Sequence, residues 1–390
     1  MRHAVRTLIL VVATLHPAAG EPVTGTPASI PAPDGTKLAA TYYSGDKPGP
    51  GILLLHQCNK DRSSWNTLAE KLANAGFHVL TVDYRGYGES GGKRHLDLPD
   101  DERVRVTNEI WPGDVDAAFA YLLSQPGVQQ VYGAGGASCG VNQSIQLSKR
   151  HPEVKSLVLL SGNADRAGRQ YLTSRASLPL MIAAADDDGG VVDMMAWIDG
   201  ASGNPANRFD EYKTGGHGTE LFKPHPELQG EIVAWYEATL AVKGKPASTS
   251  NQARRDSARV RILRMTDQPG GFARAAETLN AERRKDPKSP ALAAPFVNFL
   301  GYQAIQSGDA TSAIAIMQFN VDARPASSNA WDSLADACLA DGQRDKAREA
   351  SEKALKLVDS DPDEPPDQRK VIRQSAEGRL AKLEATPKPK

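Results

Sequence analysis

Between about Pro27 and Leu240 the chain alternates short apolar runs with amphipathic stretches, and this alternation restricts the fold more than any other feature. Gly51–Leu55 (GILLL), Phe77–Val82, Val131–Ala134, Ser156–Leu160 and Leu180–Ala184 read as strands buried on both faces. Helical stretches at Ser64–Ala75, Gly113–Leu123, Val141–Lys149 and Met194–Asp199 lie between or after them, and Pro224–Leu240 closes the series. Strands separated by helices pair in parallel, because the crossover helix returns the chain to the starting edge. Ahead of them, Ala28–Pro33 and Lys37–Tyr43 flank Asp34-Gly35, a hairpin turn signal, so the sheet is expected to begin with an antiparallel pair. The predicted class is α/β, a doubly wound and mostly parallel sheet.

The pattern then changes. Ala241–Ala258 carries few large apolar side chains and reads as a linker. Beyond it Leu300, Gly301, Ala313 and Pro325 are followed, 34 residues on, by Leu334, Ala335, Ala347 and, weakly, Asp359. That period, with Trp331 and Ala354, resembles a tetratricopeptide repeat; Phe272–Arg284 and Val371–Leu383 supply candidate flanking helices. At the other end, Arg2 and Arg6 precede an apolar run, Thr7–Leu15, and an Ala18-x-Gly20 exit, the pattern of a cleavable secretory leader. The run is too short for a bilayer, which needs about 20 residues. The expected organisation is a leader over residues 1–20, an α/β domain over 21–243, a linker over 244–258 and an all-α helical domain over 259–386. Export to the periplasm or medium follows from the leader. With 46 basic and 47 acidic residues, nothing recommends nucleic acid as a partner; stable membrane insertion is not expected either, whereas the helical domain could engage a protein.

The chemistry concentrates in Gly136-Ala137-Ser138-Cys139-Gly140, which follows a strand-like VYGA and precedes a helical VNQSIQLSKR. A nucleophile on a tight strand-to-helix turn needs small neighbours, and the turn lifts its hydroxyl clear of the sheet. It also aims the next N–H, that of Cys139, at the carbonyl oxygen under attack. Serine needs a base to take its proton. His217, between glycines in GGHGT, is the candidate; His225 reads as a solvated loop residue. The imidazole in turn needs an acid. LPLMIAAA ends in Asp186-Asp187-Asp188-Gly189-Gly190, and Asp188 is preferred because a loop acid sits a few residues beyond the strand, with Asp186 and Asp187 as alternatives. The second oxyanion donor should come from the loop after GILLL, His56–Arg62, with Cys58 N–H first and Gln57 next. Cys58 and Cys139 would then lie close enough either to bridge or to remain two small buried thiols. No metal or cofactor is required.

Taken together, LLLHQC, the stretch Asp83–Ser90 (DYRGYGES), the GASCG elbow, the acidic loop and GGHGTELF resemble the α/β-hydrolase superfamily, nearest to dienelactone-hydrolase-like and small carboxylesterase members, over residues from about 30 to 241. The order Ser138, Asp188, His217 is that of the superfamily's triad. The resemblance implies a serine hydrolase acting on an ester, thioester or related small acyl substrate. A peptidase or amidase of the same fold, or a non-catalytic scaffold working through its helical repeats, are the competing readings. Gln57 departs from the glycine that many members carry, and Ser138 holds the place where dienelactone hydrolases proper have cysteine. Ser161–Ser177 is too short for a large helical cap, so an open site is expected, with the charged loop Gly91–Ile110 as one rim.

Overall fold

The computed structural model describes residues 24–240, 248 and 251–385; the expected leader lies outside them. Among these residues eight strands form one sheet: β1 (Thr26–Pro31), β2 (Lys37–Tyr43), β3 (Gly49–Leu55), β4 (His78–Val82), β5 (Val128–Ala137), β6 (Val154–Leu160), β7 (Leu180–Ala185) and β8 (Arg208–Tyr212). Their spatial order is β1-β2-β4-β3-β5-β6-β7-β8. The first two pairings, β1 with β2 and β2 with β4, are antiparallel, and β4 onward is parallel. The hairpin turns at Gly35, whose φ of 84° suits glycine, while the Asp34 carboxylate accepts from Thr36 N–H at 3.0 Å.

The period of two along each central strand sends alternate side chains into two cores. Leu53, Leu55, Leu157, Leu159, Ile182 and Ala184 face one side, under α3 (Trp111–Leu123), α4 (Cys139–Arg150), α5 (Arg166–Ser174) and α6 (Val191–Ala201). Ile52, Leu54, Val158, Leu160, Met181 and Ala183 face the other, under α1 (Asn66–Asn74) and α7 (Glu227–Leu240). Helices on both faces explain why these strands read as continuous apolar runs. Within Gly91–Ile110, expected as a loop, Asp100–Arg105 forms a short helix, α2, whose first turn holds Asp100, Asp101 and Glu102 against the positive end of its dipole.

The C-terminal region is all α: α8 (Gln252–Arg255), α9 (Ala258–Thr266), α10 (Gly271–Lys285), α11 (Ala294–Gln306), α12 (Ala310–Ala323), α13 (Ser328–Ala340), α14 (Arg344–Leu357) and α15 (Pro366–Ala385). The helices α13 and α14 begin 34 residues after α11 and α12 respectively. Small residues set the spacing: a Cβ on Gly301 would meet the Met317 side chain at 2.6 Å, and Ala313, Ala335 and Ala347 are fully buried.

The expected linker over 244–258 is corrected in its last part. From Asn251 the chain is ordered against the sheet domain, because Arg254 and Arg255 find carboxylates there: Arg254 pairs with Asp186, Asp193 and Glu211, and Arg255 with the fully buried Asp199. Few apolar side chains read as a linker, but ion pairs replace apolar docking here. A deeper joint lies between α6 and α9–α10. Asp267 accepts from the Arg169 guanidinium at 2.8 Å and from Trp197 Nε1–H at 2.7 Å, with that guanidinium stacked 3.3 Å from the Trp197 ring centre. Trp197 sits in the helical region's own core. Replacing Asp267 by alanine leaves the buried Arg169 cation without its carboxylate; denaturant unfolding of Asp267→Ala is expected to show a loss of about 3–5 kcal/mol.

Candidate active site

Only Ser138 separates β5 from α4, and its backbone takes φ 53° and ψ −118°. Such a conformation costs a residue with a Cβ about 1–3 kcal/mol. Close contacts enforce the turn. A Cβ on Gly136 would fall 2.0 Å from Gly140 O, and one on Gly140 would fall 2.4 Å from Leu55 O, so neither position admits a side chain. Ser138 N–H donates to Leu160 O at 2.9 Å, which extends the β5–β6 ladder into the turn. Cys139 opens α4, so its N–H has no acceptor within the helix and lies at the positive end of the helix dipole.

The imidazole arrives on the loop after β8, where Gly216 (φ 69°) and Gly218 (φ 63°) flank His217. His217 Nδ1 and Asp188 Oδ2 are 2.7 Å apart. A carboxylate there accepts from Nδ1–H, fixes that tautomer and leaves Nε2 unprotonated in the neutral ring. This hydrogen bond raises the His217 pKa above 6.5, against the opposing effect of burial. The three consecutive aspartates do different things. Asp187 accepts from Gly215 N–H and Gly216 N–H, each at 3.1 Å, and shapes the histidine loop; Asp186 binds Lys213 and Arg254, both basic. Only Asp188 meets the imidazole.

His225 was expected as a solvated loop residue, and the structure corrects that. Its Nε2 lies 2.7 Å from Thr214 O and its ring stacks on Tyr212 at 3.9 Å, so it props the histidine loop from behind. Gln57 has a similar part that sequence does not reveal. Fully buried, its Oε1 accepts from Thr219 N–H and the Thr219 hydroxyl at 2.8 and 2.9 Å, and its Nε2 donates to His217 O at 3.3 Å. Glycine at this position could not tie the loop after β3 to the loop of His217. His56 beside it is neutral: burial lowers its pKa, Nε2 accepts from Tyr84 N–H at 3.1 Å and Nδ1–H donates to Gln57 O at 2.8 Å. The Asp83–Ser90 motif is scaffolding. Asp83 binds Arg62 and accepts from Glu89 N–H at 3.0 Å, and Arg85 grips Asp114 at 2.6 Å.

Ser138, Cys139 and His217 line one cavity of about 360 Å³, together with Gly162, Asn163, Gly189, Gly190, Val191, Met194 and Phe299. The Ser138 hydroxyl makes no hydrogen bond to His217 among the described residues; the two side chains meet as walls of this space. Catalytic hydrogen bonds often tighten only when substrate is bound. The cavity is open to solvent, in keeping with the open site expected from the short Ser161–Ser177 segment. That segment holds only α5, and one wall comes from elsewhere: Phe299 of α11, more than a hundred residues further on, lines the cavity. Gly91–Ile110 does not line this cavity; its Gly92, Arg94 and Leu96 line a neighbouring cleft with Cys58.

Cys58 and Cys139 form a disulfide, with α-carbons 5.9 Å apart, and Cys338 is a free buried thiol. The bond ties the loop after β3 to the elbow, the two segments expected to offer N–H donors. Mass spectrometry of unreduced, denatured protein is therefore expected to find one alkylatable thiol, at Cys338.

A family model described as alpha/beta hydrolase fold matches residues 50–294. Epoxide hydrolase B of Mycobacterium tuberculosis is 31% identical over 105 residues, covering 23% of this chain and 30% of that protein. Thiohydrolase aneE of Aspergillus aculeatus is 30% identical over 98 residues, covering 24% and 28%. The chain thus spans less than a third of the length of these curated relatives. Among solved structures, a dienelactone hydrolase from Anabaena variabilis is 16% identical with a TM-score of 0.46, covering 56% of this chain and all of that one. An esterase of Pyrococcus furiosus is 16% identical with a TM-score of 0.45, covering 56% and 92%.

Proposed function

Since the chain belongs to the alpha/beta hydrolase fold family, we propose that it is a serine hydrolase cleaving an ester, thioester or related acyl bond through Ser138, His217 and Asp188. In this reading His217 Nε2 takes the Ser138 proton as the hydroxyl oxygen attacks the acyl carbon. The carbonyl π electrons move to oxygen, and the oxyanion is held by Cys139 N–H and a donor from the loop after β3, Cys58 first and Gln57 second. Collapse expels the alcohol or thiol, which takes the proton back from His217. Water, deprotonated by the same imidazole, then releases the acid and restores the hydroxyl. Asp188 holds the ring tautomer and offsets the imidazolium charge without itself taking the proton.

The observation that carries the proposal is the conjunction at one cavity of a serine in a strained elbow and an imidazole already bonded to a carboxylate at 2.7 Å. Such strain has no packing benefit of its own, which favours an active enzyme over an inert scaffold. Export through the leader at residues 1–20 and a tetratricopeptide-like role for the helical region belong to the same proposal. An exported location would suit the disulfide between Cys58 and Cys139.

A fluorophosphonate probe is expected to label the wild type and not Ser138→Ala; an unlabelled wild type would favour the scaffold. The pH profile of kcat/KM on p-nitrophenyl acetate gives a second check. The base must be neutral and its pKa is raised, so activity should fall as pH drops through a midpoint above 6.5. Asp188→Asn is expected to lower that midpoint and cost about 10,000-fold in kcat.

A further inference from the structure

The carboxylate that meets His217 sits beside two glycines. Asp188 is followed by Gly189 (φ 54°) and Gly190 (φ 93°), and a Cβ on Gly189 would meet nothing within 4 Å, so this stretch adds no packing of its own. Backbone hydrogen bonds shape the turn: Asp186 N–H donates to Tyr212 O at 2.9 Å, Asp188 N–H to Ala185 O at 3.3 Å and Val191 N–H to Asp188 O at 2.9 Å. Glycines leave such a turn more freedom than other residues would. A carboxylate that holds an imidazole at 2.7 Å therefore gains from anchors outside the turn.

The helical region supplies them. Arg254 of α8 spreads its guanidinium over both ends of the turn and the neighbouring strand. Its Nη2 donates to Asp186 Oδ1 at 2.6 Å, ahead of the acid, and to Glu211 Oε1 of β8 at 2.5 Å. Its Nη1 donates to Asp193 Oδ1 at 3.2 Å, beyond the acid, and its Nε to Glu211 Oε2 at 3.2 Å. Asp193 is buried in the first turn of α6, and its other oxygen accepts from Arg259 Nη1 of α9 at 3.1 Å. Asn251 aims the fork: its Oδ1 accepts from Arg254 N–H at 3.1 Å, and its Nδ2 donates to Glu211.

The shape of the fork matters as well as its charge. Lys213 also pairs with Asp186, at 2.8 Å, but its side chain is 87% exposed, and an ion pair in water restrains little. Arg254 is mostly buried, and a planar guanidinium fixes three carboxylates in one arrangement that an ammonium on a flexible stem does not impose. The loop after β7, the start of α6 and the end of β8 thus share one cation. His217 lies on the loop that leaves β8, so this cation ties together the roots of both loops whose side chains meet.

On the reading of Ser138, His217 and Asp188 as a triad, we propose that Arg254 is a positioning residue for catalysis, holding Asp188 in register with His217. It touches neither substrate nor imidazole and acts through the acid loop. The helical region is thereby a working part of the hydrolase, because the arginine that docks it is the one that steadies the acid.

The test is a double-mutant cycle in the full chain, read as the second-order rate constant of fluorophosphonate labelling. Arg254→Met is expected to slow labelling by about tenfold or more, because small misplacements of catalytic groups are costly. In an Asp188→Asn background the same substitution is expected to change the rate by less than about twofold, since a residue acting only through Asp188 then has nothing left to position. Arg259 still pairs with Asp193, and Lys213 with Asp186, so the fold should survive the change. Arg254→Lys keeps the charge among the three carboxylates and takes the same cycle, with the same pattern expected at a smaller size; it carries the test should Arg254→Met not fold. Equal losses in both backgrounds, or no loss in either, overturn the positioning role and leave the triad standing. A wild type that takes no label overturns the nucleophile, and this proposal with it.

Discussion

A serine resists φ 53° and ψ −118°, and the surroundings of Ser138 are what hold it there. The β5–β6 ladder runs into the turn through Ser138 N–H, Gly136 and Gly140 let two backbones pass where a side chain would collide, and α4 starts at the next residue. The disulfide from Cys139 to Cys58 adds a covalent tie to the neighbouring strand's loop. Burial of the strands on both faces makes this possible, since a sheet anchored in two cores gives its carboxyl ends little freedom. Energy from packing far from the site is thus used to keep one half-buried serine on the cavity wall.

The same carboxyl edge gathers the other groups. Loops after β3, β7 and β8 meet there, and buried polar contacts fix their mutual positions. Gln57 reaches from the first loop to Thr219 and His217 O of the third, Asp187 reaches from the second to Gly215 and Gly216, and His225 supports the third from beneath. Each of these side chains acts through another group and does not meet the cavity itself. Losing one would shift the imidazole, and small misplacements of reacting groups are costly.

Much of this was legible in the sequence because its signals are local. Apolar runs marked the strands, Asp34-Gly35 marked the hairpin, and glycine punctuation marked the elbow and the histidine loop. The choice among Asp186, Asp187 and Asp188 stayed open because three identical side chains differ only in where a turn points them. The bracing role of the Gln57 side chain and the parts of His225 and Phe299 were not legible, since each rests on a contact that only the tertiary fold creates. Phe299 lies more than 80 residues from His217 in the chain and in a region whose pattern advertised only helix packing. Residues 251–258 misled for another reason: low apolar content suggested a linker, whereas charge docks Arg254 and Arg255 to Asp193 and Asp199.

Catalytic acyl transfer to one hydroxyl is the claim on which the rest stands, and it can be observed directly. Protein mixed with p-nitrophenyl acetate, quenched in acid within the first turnover and digested, should yield a single acetylated peptide with the acetyl group on Ser138. Hydrolysis that proceeds with no adduct on that peptide, or with the acetyl group on another residue, would contradict the account.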